Sequence, residues 1–391
     1  MTVRLETVTP LFLAGADPRG VPELRAASMR GALRFWFRAL LGGVIGDSNL
    51  DALRRAESAV FGSTNSASPV AVQVRHDRLS LQPFSRIAAW DDRTRRYHNP
   101  GIAYLFFAAR GTKSEPERNA IDAGSSFELV LNKRVGIGAS GDQALQQAYA
   151  ALWLLTHFGG LGARSRRGAG NLQVAQVSGK IPNSALPPLQ VQADTPEKLQ
   201  TELQDGLKKL KEMLEVNTSV SFSSTSTFDV LHPETCKMWV VDKTFDSWDQ
   251  ALDAIGKQMQ RFRNRRPPDY QNVKDAVQGR PLTQPVKRAA FGLPIVFYYR
   301  SLGGRKGTLE GERHSRRASP LIIRVIRLAN GKYTLVLTFF RAQLLDSNEQ
   351  LKLKRQGPPA LVSPPDFSLI EEDFVREVGN QIAPLLEVTT W

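Results

Sequence analysis

The 391-residue chain carries one cysteine, Cys236. A single thiol excludes an intramolecular disulfide and any cysteine-based zinc cluster, and it fits a reducing compartment. Within ETCKMWVV it reads as a strand residue rather than a nucleophile. Histidine is nearly as scarce: His76, His98, His157, His232 and His314 are scattered without HxxxH, HExxH or HD spacing. GxSxG, a lysine–serine pair and a paired-carboxylate signature are all missing. The expectation is therefore no metal, no cofactor and no catalytic residue. The one long uncharged run, Gln143 to Ala163, contains three glutamines, a histidine and three glycines. It reads as an amphipathic soluble helix rather than a membrane span. The N-terminus, MTVRLETVTPLFL, places charges inside its apolar run and lacks a signal-peptide layout. A cytoplasmic protein with no membrane partner is expected.

What is abundant is positive charge. The 52 Lys+Arg against 38 Asp+Glu give a net +14. Such an excess favours a polyanionic partner, with nucleic acid ahead of a membrane surface. The content of 41% hydrophobic and 23% charged residues is that of a globular protein. This length suits two domains.

Apolar periodicity orders the first half as strand (Val3–Leu13), helix, strand (Val70–Leu79), strand (Ser126–Arg134), helix (Asp142–Phe158) and strand (Asn171–Val177). A long irregular insertion, about 83–122, interrupts it. This is the order of a ferredoxin-like split βαβ fold, an antiparallel sheet with two helices on one face. RNA-recognition (RRM) modules share that architecture. After a linker at Pro182–Pro188, Thr195 and Pro196 start a helix striped with Leu199, Leu203, Leu207, Leu210 and Leu214. The remainder reads as strand (Lys237–Lys243), helix (Ser247–Arg263), three strands (Ile295–Arg300, Leu321–Ile326, Tyr333–Phe340) and a closing helix (Asp373–Leu386). Asn330–Gly331 marks a hairpin. The fold class expected is α+β, with tandem ferredoxin-like domains at 1–181 and 182–391, the second a degenerate copy.

Two segments concentrate candidate binding residues. In ELRAASMRGALRFWFRALLGG, Ser28 is a candidate N-cap, Met29, Leu33, Trp36 and Leu40 repeat at helical spacing, and Gly42 and Gly43 end the helix. Arg30, Arg34 and Arg38 form a second row with no acid inside the helix, suited to a repeating anion such as an RNA backbone. The alternative is a core helix whose arginines snorkel to solvent. The second segment, GGLGARSRRGAG, spans Gly159 to Gly170. It is neither a P-loop nor a dinucleotide loop, because it follows a helix and opens a strand. It lies at the negative end of its helix, so Arg164, Arg166, Arg167 and loop amides must hold any anion. Among the histidines, His157, just before the loop, is the most suggestive acid–base candidate for RNA cleavage. A histidine in a last helical turn is also favoured by the dipole.

Further basic clusters are Lys257, Arg261, Arg263, Arg265 and Arg266, and the glycine-containing stretch 300–317 with Arg305, Lys306, Arg313, Arg316 and Arg317. The second reads as a mobile loop closing on a polyanion, or as a solvated hairpin. Asp91 and Asp92, beside Arg93, Arg95 and Arg96, read as local pairing rather than a metal site.

The arginine-row helix, ESAVFGSTNSAS, the loop HFGGLGARSRRGAG, and FGLPIVFYY with RRASPLIIRVI together resemble the RAMP superfamily (repeat-associated mysterious proteins) of CRISPR systems. Within it they resemble the first-numbered RAMP subunits of type III-B Cmr effector complexes. That resemblance implies tandem ferredoxin-like domains and a non-catalytic, RNA-binding subunit. Such a subunit caps the head of the complex near the guide RNA 3′ end and helps capture target RNA for antiviral defence. Its implied partners are guide (CRISPR) RNA, target RNA and other RAMP subunits. Carried onto this chain, the implied RNA cleft holds Arg30, Arg34, Trp36, Arg38, Gly160, Gly162, Arg164, Arg166, Arg167 and Gly168. The basic loop adds Arg305, Lys306, Arg316 and Arg317. The nuclease members of the superfamily typically carry a catalytic histidine, which does not map here. The alternatives are a metal-independent endoribonuclease using a histidine and a scaffold that binds only protein.

Overall fold

A computed structural model describes residues 1–134, 139–214, 220–222, 224–264 and 267–389. The chain opens with β1 (Thr2–Thr7), α1 (Ala26–Ile45), α2 (Leu50–Phe61) and β2 (Val70–Arg75). The insertion follows, with β3 (Leu81–Pro83), α3 (Phe84–Ile87), β4 (Trp90–Asp91), β5 (Arg96–Tyr97), α4 (Pro100–Leu105) and β6 (Asn119–Ile121). Then come β7 (Ser126–Lys133), α5 (Ala139–Phe158) and β8 (Leu172–Ser178). The first sheet is antiparallel in the order β2-β7-β1-β8. The third strand in sequence thus pairs with the first, which is the ferredoxin-like arrangement expected.

The second half begins with α6 (Pro196–Met213), β9 (Cys236–Val241), α7 (Trp248–Asn264) and α8 (Pro267–Val277). It continues through β10 (Ile295–Tyr299), β11 (Arg305–Gly311), β12 (Leu321–Arg327), β13 (Tyr333–Phe340), β14 (Leu351–Lys354) and β15 (Ala360–Val362). A wide turn of helix at Leu369–Phe374 runs into α9 (Val375–Gln381), and β16 (Leu385–Val388) follows. The second sheet, β12-β13-β9-β16, repeats the order of the first. The fold is therefore tandem ferredoxin-like, with two details corrected. The closing helix ends at Gln381, and Leu385–Val388 forms the fourth strand. Ile295–Tyr299 is not in this sheet; it begins a third antiparallel sheet, β10-β11-β14-β15.

The second sheet is buried on both faces. Met238, Val240, Ile322, Ile326, Val336 and Phe340 join the core of α1, α5 and α6. Trp239, Leu321, Ile323, Val325, Leu337 and Phe339 join α7, α9 and the insertion helix α4. That double burial explains the near-continuous apolar runs of β12 and β13. Nor is the insertion irregular throughout: α4 crosses α7 where Gly101 meets Gly256. A Cβ on Gly256 would lie 2.3 Å from the Gly101 carbonyl oxygen. The Gly101 amide donates to Asp253 Oδ1 at 2.7 Å.

Two helix boundaries differ from expectation. Helix α1 starts at Ala26, with Arg25 at the N-cap making no side-chain cap bond, so Ser28 lies inside it. It also runs through Gly42 and Gly43 to Ile45, and Gly46 ends it at φ 88°. Gly42 serves close approach rather than termination, because a Cβ there would lie 2.8 Å from Val230 Cγ2.

Candidate nucleic-acid interface

The glycine-rich loop and α1 face each other across a cleft of about 360 Å³. Ser28, Ala32 and Phe35 line it from α1, and Gly159–Gly162, Ser165 and Arg166 from the loop. The loop's shape is set by backbone contacts that only glycine permits. Gly162 has φ 84°, and a Cβ there would sit 2.4 Å from the Phe12 carbonyl oxygen. Gly160 packs against the Ala169 carbonyl and Gly168, at φ 84°, against Leu252. These contacts draw the loop tightly over the start of the chain and α7.

Arg166 is the loop arginine at the cleft. Its guanidinium lies 5.2 Å from the centre of the half-buried Phe35 ring, a cation–π contact. It donates to the Ser319 carbonyl at 2.7 Å and pairs with buried Asp229 at 2.5 Å. Arg317 Nη2 reaches the other Asp229 oxygen at 3.5 Å. Two cations thus share one carboxylate, which leaves a positive balance beside an aromatic face.

Arg164 and Arg167, expected at the RNA surface, are instead structural. Arg164 takes a left-handed φ of 63° and its Nε donates to the Leu105 carbonyl of α4 at 2.8 Å. Burial pulls its pKa below the ordinary arginine value. Arg167 is 9% exposed and donates to the Phe291 carbonyl at 3.0 Å. Burial, followed by the nearby Arg263 and Arg164 charges, lowers its pKa to about 9. Both arginines carry the loop onto the insertion and the second half, and Arg167 also forms an isolated parallel bridge with Ile323 of β12.

Trp36, also expected at that surface, is 2% exposed. Its ring packs against Phe158 and Phe340, and a Cβ on Gly159 would lie 2.3 Å from its Nε1. It supports the cleft floor from within the core.

The arginine row does not face this cleft. At 3.6 residues per turn, the 30/34/38 stripe lies roughly a third of a turn from the 28/32/35 stripe, beside α2. Glu57 of α2 there accepts from Arg38 Nε at 2.7 Å and pairs with Arg34 Nε at 3.2 Å. Arg34 also donates to the Gly62 carbonyl. Although no acid lies within α1, one from the neighbouring helix pairs with two of the three cations and neutralises half of their charge. Arg38 is exposed, while Arg30 is half-buried and its Nε lacks a hydrogen-bond partner.

His157 is fully buried. Its ring stacks on Trp153 at 4.3 Å, Nδ1 lies 2.8 Å from the Trp153 carbonyl, and Nε2 has no hydrogen-bond partner. Burial pushes its pKa down to about 3, although the Glu202 carboxylate approaches to 4.0 Å. It is neutral near pH 7 and has no access to a phosphodiester. Sequence reasoning missed Arg324, which is 1% exposed. Its guanidinium donates to the Leu172 carbonyl at 2.5 Å and to the Thr156 and Gly159 carbonyls. It thereby occupies the negative end of α5. Burial lowers its pKa to about 9. The only sequence signal was one arginine in the otherwise apolar LIIRVI.

Arg305 and Lys306 lie exposed on strand β11, which pairs antiparallel with β10, the hairpin rather than the mobile-loop reading of this stretch. Arg316 is exposed nearby. Lys257 is paired with Asp253, Arg263 lies over Phe291 at 5.7 Å, and Arg265 and Arg266 fall outside the described residues. Asp91 pairs locally, accepting from the Arg93 amide at 2.8 Å. No helix among the described residues is long and apolar enough to cross a membrane.

Comparison with known proteins bears on this arrangement. The RAMP superfamily profile matches residues 4–173, which run from β1 through α1, β2, β7, α5 and the loop to the start of β8. CRISPR system Cmr subunit Cmr1-2 of Pyrococcus furiosus is 36% identical over 177 residues, covering 44% of this chain and 94% of that protein. The chain belongs to the RAMP superfamily, in its Cmr1 branch. The Cmr1-1 subunit of the same organism is 26% identical over 347 residues, 86% of either chain. The apo crystal structure of Pyrococcus furiosus Cmr1 superposes with a TM-score of 0.64 at 20% identity, covering 100% of this chain and 99% of that one. A chain of a type III-B Cmr-beta complex bound to cognate target RNA shares the fold at TM-score 0.53 and 14% identity, covering 88% of this chain and 96% of its own. The RAMP fold thus accounts for the paired sheets.

Proposed function

We propose that this Cmr1-branch chain is a non-catalytic, RNA-binding subunit of a cytoplasmic type III-B CRISPR ribonucleoprotein. It caps the head of the complex near the guide 3′ end, with guide RNA, target RNA and other RAMP subunits as partners. The observation that carries this reading is the cleft between α1 and the glycine-rich loop. There the Phe35 ring lies against Arg166, and a glycine-walled backbone leaves room for a strand. A base stacking on Phe35 would bring its phosphate within reach of Arg166 and Arg317. The kinship to Cmr1 subunits supports the same reading, and the buried His157 supports a binding rather than a cutting role. The two ferredoxin-like units are proposed to divide as 1–181 and 182–391, since β8 closes the first sheet at Ser178.

Photocrosslinking within a co-purified complex tests the reading. Crosslinks from RNA to Phe35 and to 160–166 are expected, and Phe35→Ala should abolish the first. RNA crosslinks confined to other surfaces would remove the cleft from the binding path.

A further inference from the structure

The third sheet, β10-β11-β14-β15, turns one face to α8. Ile295, Phe297, Tyr299, Leu309, Leu351 and Leu353 are buried there with Val273 and Val277. Its other face is open. Val296 is 60% exposed and Tyr298 52%. Register places Tyr298 opposite Lys306, Val296 opposite Thr308, and Thr308 opposite Lys354. Glu310, the acid on this face, pairs opposite Lys352 and forms an ion pair with Lys354 at 2.5 Å. Lys306 and Lys352 have no ion-pair partner among the described residues. The face therefore presents Lys306 beside the projecting tyrosine, and Lys352 and Lys354 two strands away around Glu310, which is 9% exposed and already engaged.

We infer that this face is a second platform for single-stranded RNA, continuing the strand that leaves the cleft; the inference rests on the cleft binding RNA. Continuity supports it. Just before β10, Leu293 pairs with Arg317 through two backbone hydrogen bonds of 2.9 and 3.2 Å. The Arg317 side chain shares Asp229 with Arg166 of the cleft. From Ile295, two residues after Leu293, to Tyr298 the strand advances about 10 Å at ~3.3 Å per residue. An extended RNA spans such a gap in a few nucleotides. Adjacent strands lie ~4.8 Å apart, so Lys306 stands one strand from Tyr298, placed for the phosphate of a base stacked on the ring. An antiparallel sheet offering an aromatic among lysines is the chemistry that takes unpaired bases. The Gly303–Gly304 turn leaves the ring clear, because a Cβ on Gly304 would lie 3.1 Å from the Tyr298 hydroxyl.

The test measures anisotropy of labelled single-stranded RNAs of about 6 and about 16 nucleotides, bracketing one aromatic platform and a longer path, on the full chain. Tyr298→Ala should weaken the longer RNA at least about fivefold and leave the shorter unchanged, while Tyr298→Phe binds like the parent. The Lys306→Gln/Lys352→Gln pair should flatten the longer RNA's log–log salt slope by about 0.7 for each phosphate no longer neutralised. Equal binding of the longer RNA by parent and Tyr298→Ala overturns the inference, and so does normal RNA binding with impaired assembly, which would make the face a protein-docking surface. Parent protein binding neither RNA at low salt would instead overturn the cleft reading.

Discussion

His157 makes the burial argument quantitative. With a pKa of about 3 in the folded protein against about 6.5 in the unfolded chain, it stays neutral when folded and takes a proton when unfolded. The unfolded state therefore binds more protons between about pH 6.5 and pH 3, and stability must fall as pH falls through that window. At pH 5 the ratio of the two titration terms is about 30-fold, or ~2 kcal/mol lost relative to neutral pH. Near pH 3 the loss approaches ~4–5 kcal/mol. His157→Phe keeps the stack on Trp153 and removes the titration. Urea denaturation of both proteins at about pH 7 and pH 5 isolates the effect, because every other group is common to the two. The parent should lose about 2 kcal/mol more than the variant between those pH values. Parallel losses would refute a buried neutral imidazole, and would restore His157 as a group able to carry charge next to the loop.

Other outcomes follow from the same geometry. Arg324→Met removes the guanidinium donor from the Leu172, Thr156 and Gly159 carbonyls, of which Gly159 keeps Asn171, and should cost about 1–3 kcal/mol for each carbonyl left unsatisfied, read as a shifted urea midpoint; a change below about 0.5 kcal/mol would mean that water replaces the guanidinium. Gly162→Ala forces a left-handed side chain against the Phe12 carbonyl. A loss of roughly 1–3 kcal/mol is expected, together with weaker RNA binding, while a stable variant with normal binding would separate loop shape from function. Glu57→Gln removes the carboxylate charge paired with Arg34 and Arg38. If that row meets RNA outside the cleft, the log–log salt slope steepens by about 0.7 for each additional phosphate neutralised, whereas an unchanged slope assigns the row to packing α1 on α2.

Much of the architecture was legible because it rests on local periodicity. The leucines of α6 do line the core, Thr195 does cap it by accepting from the Lys198 amide, and Asn330–Gly331 does turn the β12–β13 hairpin. The short strand β16 was hidden because four residues after a helix carry no alternation strong enough to separate them from its last turn. β10 was placed in the wrong sheet because an alternating pattern states that a strand has two unlike faces, but not which neighbour it pairs with.

For the site, the sequence by itself determined which residues carry charge, where glycine allows tight backbone approach, and that the chain has tandem ferredoxin-like units. Tertiary structure alone decided which cations are available. Arg164 and Arg167 come from the glycine-rich loop and Arg324 from β12, yet each is spent on buried carbonyls, because a helix end and a tight loop inside a protein must have their oxygens satisfied. Arg34 and Arg38 share a carboxylate of the next helix, α2, whereas Arg166 and Arg317 share Asp229 where Arg166 also meets Phe35 at the cleft. Charge is a property of the side chain and is written in the sequence. Whether a solvent-borne anion can reach it depends on desolvation and on partners brought from elsewhere, and only the folded chain sets those.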